Sequence, residues 1–405
     1  MTSTETGRRV AQFRRQRGLS QKDLASEVGR SVSWVSQVER GVQPVERLSV
    51  LRELADALGV ALTDLRPEDL GGARPADDAV NDLEALRLRL SGHPALDHLF
   101  GQAAGTSDVG ALAAEVDRAW ELAHASRFAE LDATLTNLLP KLEQASRGTR
   151  SRTQQSQLHA LRARAYQSAA AAFARQDEPD AAWVSADRAI SAAEAAGEPL
   201  EVIAGHFRLA HAFARLRQHG QADHVTTEAI DALKDRAEQP DAAPEVLSLY
   251  GAMHLVQAVI SGQEGERRKA HRALQAAKRI AARLGDDRND FDTEFGPTNV
   301  QLHEVAVAID LGDAGAALEV AENVDASGLS PERQSRFLVD VARAHVQLHH
   351  IGEATKAILQ AEQLAPEHVH SHHASLAVIE ELLAQAGPRA STHLRDLAHR
   401  SGLAD

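Results

Sequence analysis

Helix breaks in this chain recur at a nearly constant interval, and that interval limits the folds open to it. From about residue 111 the pattern reads as paired helices: 111–124 with 127–146, 153–174 with 180–196, 199–218 with 220–236, and 244–261 with 264–284. Three more pairs follow, 298–311 with 313–323, 331–349 with 352–364, and 371–386 with 390–401. The second helices begin near Arg127, Asp180, Gly220, Glu264, Asp313 and Gly352, about forty to fifty residues apart, within the range of helical-hairpin arrays. Aromatic residues make up only 3% of the chain, so its core must be built from Leu, Val, Ile and Ala. Ala and Leu favour helix, whereas strands want aromatic and β-branched residues. Small residues at expected crossings (Ala165, Ala169, Ala210, Ala214, Gly251, Ala344) allow close packing.

The charge is divided along the chain. The formal total is −14, yet residues 1–65 hold ten basic and eight acidic side chains, which leaves −16 on the remaining 340. An acidic total argues against nucleic acid only if the charge is evenly spread. Here it assigns any DNA contact to the first segment and predicts that the acidic remainder sits away from the phosphates. Residues 66–80 hold two Pro and two Gly with little apolar material and read as a linker. The expected domains are 1–66, a linker 67–80, and 81–405.

Five short helices are expected in the first segment. Val10 and Phe13 mark one apolar face, Ser20 with Asp23 forms a capping box, and Leu24, Ala25 and Val28 mark the next face. Val35 and Val38 sit in a third helix, Leu48, Leu51, Leu54, Ala55 and Leu58 in a fourth, and Leu62 to Leu65 in a last turn. Gly18, Gly29, Gly41 and Gly59 separate them. The run Gly18-Leu19-Ser20-Gln21-Lys22-Asp23-Leu24-Ala25, then Val28-Gly29, then Ser31 to Gly41, resembles the Cro/C1-type (XRE) helix-turn-helix repressor family. That resemblance implies a recognition helix from about Val32 to Val38 in the major groove. Val32, Ser33 and Gln37 fall where the family reads base edges. Gln21 falls where it binds a phosphate, and Ser31, Ser36 and Arg40 complete the expected contact set. Arg14 and Glu39 fall at positions of an internal ion pair. Trp34 departs from the small residue usual there; the sugar-phosphate wall, a thymine methyl and packing within the domain are all open to it.

The later segments Trp120 to Ala123 with Phe128 to Leu131, Leu209 to Ala214 with Gly220-Gln221-Ala222, and Ala344 to Leu348 with Gly352-Glu353-Ala354 resemble tetratricopeptide hairpins. The expected fold is therefore all-α, a helix-turn-helix head followed by a tetratricopeptide-like α-solenoid. Such a head on such an array resembles the peptide-controlled regulators of Gram-positive bacteria and a group of actinobacterial regulators. The second likeness is carried by Glu294 to Val300 and His303 to Ala308. One head makes few contacts, so a homodimer on a double-stranded, inverted-repeat operator is expected, and the array is expected to take a peptide or small-molecule effector on its concave face. The alternative is an adaptor whose array docks a protein while the head tethers it to DNA.

Asn299 and His303 lie one turn apart on a helix opened by Gly296-Pro297; the bland reading is an N-cap from Thr298 or Asn299 beside a core Phe295. Tyr166, His206, Arg208, Tyr250, His254, Gln257 and Arg343 lie on first helices, which line the concave side, and complete the candidate effector set. His368, His370, His372 and His373 form a dense group, read as polar or pH-sensitive surface before metal. Asp286 to Asp290 read as a solvated loop. No catalytic constellation, cofactor motif or metal site is expected, and zero cysteine excludes thiol chemistry. No apolar run approaches the ~20 residues of a membrane span, and Met1 to Thr6 lacks the apolar core of a signal peptide, so a cytoplasmic protein is expected.

Overall fold

The computed structural model describes residues 3–17, 19–28, 30, 32–40, 54, 57–58, 83–92, 108–149 and 151–403. The chain divides into two compact units, Met1–Val80 and Asn81–Asp405. Regular structure among the described residues is helical, apart from one isolated antiparallel bridge between Arg288 and Phe295. None of the described helices is long and apolar enough to cross a membrane.

In the first unit α1 spans Ser3–Gln16, α2 Gln21–Glu27 and α3 Val32–Glu39. α2 opens on the expected reciprocal box: the Asp23 N–H donates to Ser20 Oγ (3.1 Å) and the Ser20 N–H to Asp23 Oδ2 (2.9 Å). Val10, Leu24, Ala25, Val28, Val35 and Val38 close a small core with Leu54 and Leu58. Gly7 sits where a Cβ would fall 2.1 Å from the Val38 carbonyl oxygen, so α1 crosses the end of α3 only because that side chain is absent. Apart from Leu54, Ala57 and Leu58, the expected fourth and fifth helices lie outside the described residues, as do the linker and Gly18, Gly29 and Gly41.

The second unit begins with α4 (Glu84–Ser91), α5 (Val109–His124) and α6 (Phe128–Gly148). It continues with α7 (Arg152–Arg175), α8 (Pro179–Ala196), α9 (Pro199–Arg215), α10 (His219–Ala237), α11 (Pro244–Gln263) and α12 (Arg267–Leu284). After a short 3-10 turn come α13 (Pro297–Asp310), α14 (Ala314–Ala321), α15 (Pro331–Gln347) and α16 (Ile351–Leu364). α17 (Pro366–Ser371), α18 (His373–Ala386) and α19 (Thr392–Arg400) end it. From α5 on each helix packs on the next, α4 packs on α6, and the first helices also pack on one another in the series α5, α7, α9, α11, α13, α15 and α18. This is the stacked-hairpin solenoid expected from the recurring breaks. Its core is rich in alanine, with Ala165, Ala169, Ala210, Ala212, Ala252 and Ala344 all buried. Six hairpin turns share one geometry: a left-handed residue stands two places before the second helix. The residues are Ser126, Asp177, Arg217, Gly265, Gly312 and His349.

The array also curls on itself. The Phe128 N–H at the start of α6 donates to the Glu367 carboxylate of α17 across 239 residues (2.5 Å). Arg175 of α7 pairs with Glu332 of α15 at 3.3 Å, and Arg215 of α9 meets His372 at 2.7 Å. The first helices therefore enclose an interior.

Candidate functional sites

In the head, Arg14 and Glu39 make the ion pair that the resemblance implies. Arg14 Nε lies 2.5 Å from Glu39 Oε1, Nη2 donates to Oε2 at 3.0 Å, and Nη1 donates to the Leu19 carbonyl at 2.7 Å. Burial opposes the charge on Glu39, but the Arg14 and Gln21 hydrogen bonds outweigh it and hold the carboxyl below its usual range. Gln21 Nε2 donates to Glu39 Oε2 at 2.8 Å, so its amide is tied to this pair, a link that sequence reasoning did not anticipate. With Glu39, Val35 and Val38 turned inward, α3 presents Val32, 44% exposed, and Arg40 to solvent. Ser36 and Gln37 stand half-open beside them. Arg40 Nε returns to the Ser36 carbonyl at 3.2 Å. Trp34 packs partly into the head's core and carries the Arg30 guanidinium 5.6 Å from its ring centre. Packing is thus one of its roles. Ser31 and the Ser33 side chain lie outside the described residues.

In the array the candidate effector residues fall into separate environments. Tyr166 is a core residue: its hydroxyl donates to Glu143 Oε1 at 3.2 Å, and burial pushes its pKa up to about 12. Asn299 is 2% exposed and its Oδ1 has no hydrogen-bond partner. Neither Thr298 nor Asn299 caps α13. The cap comes from Asp287, whose Oδ1 accepts the Thr298 N–H at 3.0 Å. Gly296 makes room for it, since a Cβ there would lie 2.2 Å from that oxygen. The acidic stretch is accordingly a built element: Arg288 pairs with Asp290 at 2.7 Å, and Asn289 Oδ1 accepts the Glu294 N–H at 3.1 Å.

Tyr250 and His254 stack edge-on at 4.8 Å. Burial, then the nearby Arg279, lowers His254 to about 4, with Gln257 hydrogen-bonded to it. Arg343 pairs with Asp310 at 2.6 Å and Asp340 at 2.9 Å, and His206 donates to the Val202 carbonyl at 2.8 Å.

Arg208 and His303 face the enclosed interior, where they meet residues that sequence reasoning passed over. Arg208 Nη2 donates to the Phe291 and Asp292 carbonyls at 3.1 and 2.8 Å, and its guanidinium lies 4.9 Å from the Trp120 ring centre. Burial lowers its pKa to about 9. Burial likewise raises Asp292 to about 6 and lowers His124 to about 4, His303 to about 3 and His368 to about 3. Glu332 is fully buried, and Arg175, Arg336 and Arg333 overcome that burial to hold it ionised. Arg333 Nε donates to Glu294 Oε2 at 3.0 Å, and Glu294 also accepts from Ser330. Arg208, His211 and Arg215 recur at helical spacing on α9, as do Glu332 and Arg336 on α15. That charged periodicity on first helices was the available sequence signal.

A helix-turn-helix domain family model matches residues 5–68. The uncharacterized HTH-type transcriptional regulator YazB of Bacillus subtilis (strain 168) is 32% identical over 63 residues, 16% of this chain and 90% of that one. Through its head the chain belongs to the HTH-type transcriptional regulators and is a DNA-binding regulator. The solved Bacillus thuringiensis PlcR, in complex with the peptide PapR7 and DNA, aligns over 91% of this chain and 97% of that chain, at 13% identity and a TM-score of 0.31.

Proposed function

We propose that the chain binds an inverted-repeat operator as a homodimer and responds to an effector held inside its curled array. The observation that carries the DNA half is the outward stripe on α3, Val32 with Ser36 and Arg40, opposite a face anchored by Val35, Val38 and the Glu39–Arg14 pair. In this reading Val32, Ser33 and Gln37 read base edges. Arg40 and Ser36 meet the backbone, and Gln21 acts by bracing Glu39 at the start of α2. One head makes few contacts, so tight binding calls for two heads on half-sites about 34 Å apart. The array supplies the second copy and the effector response, with His211 and His303 open to the ligand.

Gel shift across a salt series tests this. Gln37→Ala is expected to relax preference at one base pair by about 1–3 kcal/mol. Arg40→Ala should weaken all sequences alike and flatten the salt slope by about one. Equal loss on specific and random DNA for Gln37→Ala removes it from the readers. A monomer–operator stoichiometry in sedimentation removes the dimer.

A further inference from the structure

Inside the array, cations outnumber the carboxylates that meet them. Arg333 has Glu294, Arg175 has Glu332, and Arg208 turns Nη2 onto two carbonyl oxygens while its buried Nε has no hydrogen-bond partner. Two guanidiniums are left. Arg215 donates to His372 Nε2 at 2.7 Å and His373 Nδ1 at 3.0 Å, imidazoles whose pKa values burial lowers, while Asp177 and Glu332 act on it from beyond ion-pair distance. Arg336 reaches one carboxylate oxygen, Glu332 Oε1 at 4.0 Å, which Arg175 already holds at 3.3 Å. Arg215 and Arg336 repel each other across this space, and the repulsion adds to burial in lowering Arg215.

Both side chains, with His211 and His303, keep part of their surface open although protein surrounds them. That combination marks groups lining an internal opening. Beside them His368 is fully buried with neither ring nitrogen hydrogen-bonded. Arg336 shares Glu332 with Arg175 and feels Asp340, while Arg215 has no carboxylate within ion-pair distance. A buried cation pair so weakly compensated is costly, and an incoming anion converts that cost into affinity.

We propose that Arg215 and Arg336 form an anion clamp that takes a carboxylate or phosphate group of the effector, with the imidazoles of His211 and His303 completing its polar wall and the buried His368 lying behind it. This rests on the reading of the interior as the effector site, but it is tested without DNA. Thermal melts of the full chain at constant ionic strength compare chloride with inorganic phosphate and with succinate. A saturable rise of a few degrees with phosphate alone points to a phosphorylated effector, and with succinate alone to a carboxylate; a rise with both gives the shared chemistry. Arg215→Gln/Arg336→Gln should abolish the rise, and Arg336→Lys should keep part of it. Relief of repulsion should raise the melting temperature of ligand-free Arg215→Gln by a few degrees. If neither anion acts beyond chloride, or the double variant responds unchanged, the clamp is refuted. A lowered melt for Arg215→Gln makes Arg215 a structural partner of His372 and His373 and also refutes it. Gel shift run in parallel separates the two readings, since operator binding stands or falls without the anion response.

Discussion

Single residues decide two tight contacts here. A Cβ on Gly251 would lie 2.0 Å from Phe295 Cζ, and Phe295 is fully buried. Gly251→Ala should therefore cost about 1–3 kcal/mol, read as a lower melting temperature of the array with the head's transition unmoved. In the head, Glu39→Ala leaves a largely buried Arg14 without its carboxylate and should cost about 1–3 kcal/mol. Much at this scale was readable beforehand. The Arg14–Glu39 pair followed from the helix-turn-helix likeness, and the Ser20–Asp23 box from spacing alone. The Gln21 link was not, because an exposed-looking glutamine at a helix start says nothing of a carboxylate 18 positions on. Tyr166 was misjudged for a related reason: a first helix turns one face to its neighbours as well as one to the interior.

Among elements, helix boundaries were legible to within a few residues because Ala-rich runs stop at polar breaks. The turn chemistry was harder to read. A left-handed residue favours glycine, yet only Gly265 and Gly312 fill that place among the six hairpin turns; Ser126, Asp177, Arg217 and His349 pay the steric cost instead. Arg217→Gly should thus gain about 0.5–1 kcal/mol, the left-handed penalty less glycine's entropy, seen as a raised denaturant midpoint at constant slope. The loop before α13 escaped sequence reading because its cap is remote. Asp287 stands 11 residues ahead of the Thr298 amide it accepts from. Asp287→Ala should cost about 0.5–2 kcal/mol, and Asp287→Asn less.

On the scale of the whole molecule, the interior makes the array acid-sensitive. Burial first, then arginine neighbours, keep His124, His211, His303, His368 and His372 below the ordinary histidine value of about 6.5. Between that value and about 4 the unfolded chain binds more protons than the folded one. Stability from these neutral rings is complete above about pH 6.5 and is lost as pH falls through that window. Each fully buried ring contributes up to about 1.4 kcal/mol per pH unit. Asp292, raised to about 6, and Glu201 and Asp310, also raised by burial, work in the opposite direction but are fewer than the histidines. Residues 1–65 contain no histidine. Calorimetry should therefore show the array's transition falling steeply from pH 6.5 to 4.5 while the head's moves little, with the slope reduced in His368→Gln.

The contact between Phe128 and Glu367 has a kinetic consequence. A plain stack of hairpins can fold from any point by neighbour-to-neighbour growth, and its contacts stay local. This array must also bring together groups 157 and 239 residues apart, so the last closure waits on a large loop. Refolding should show a late phase in which Trp120, beside Arg208, reports burial after most helicity has formed. Removing α17 to α19 leaves only the Arg175–Glu332 closure, so that phase should shrink and one sharp unfolding step should become more graded. What looks like a spring is thermodynamically closer to a ring, and losing either end loosens the whole circle.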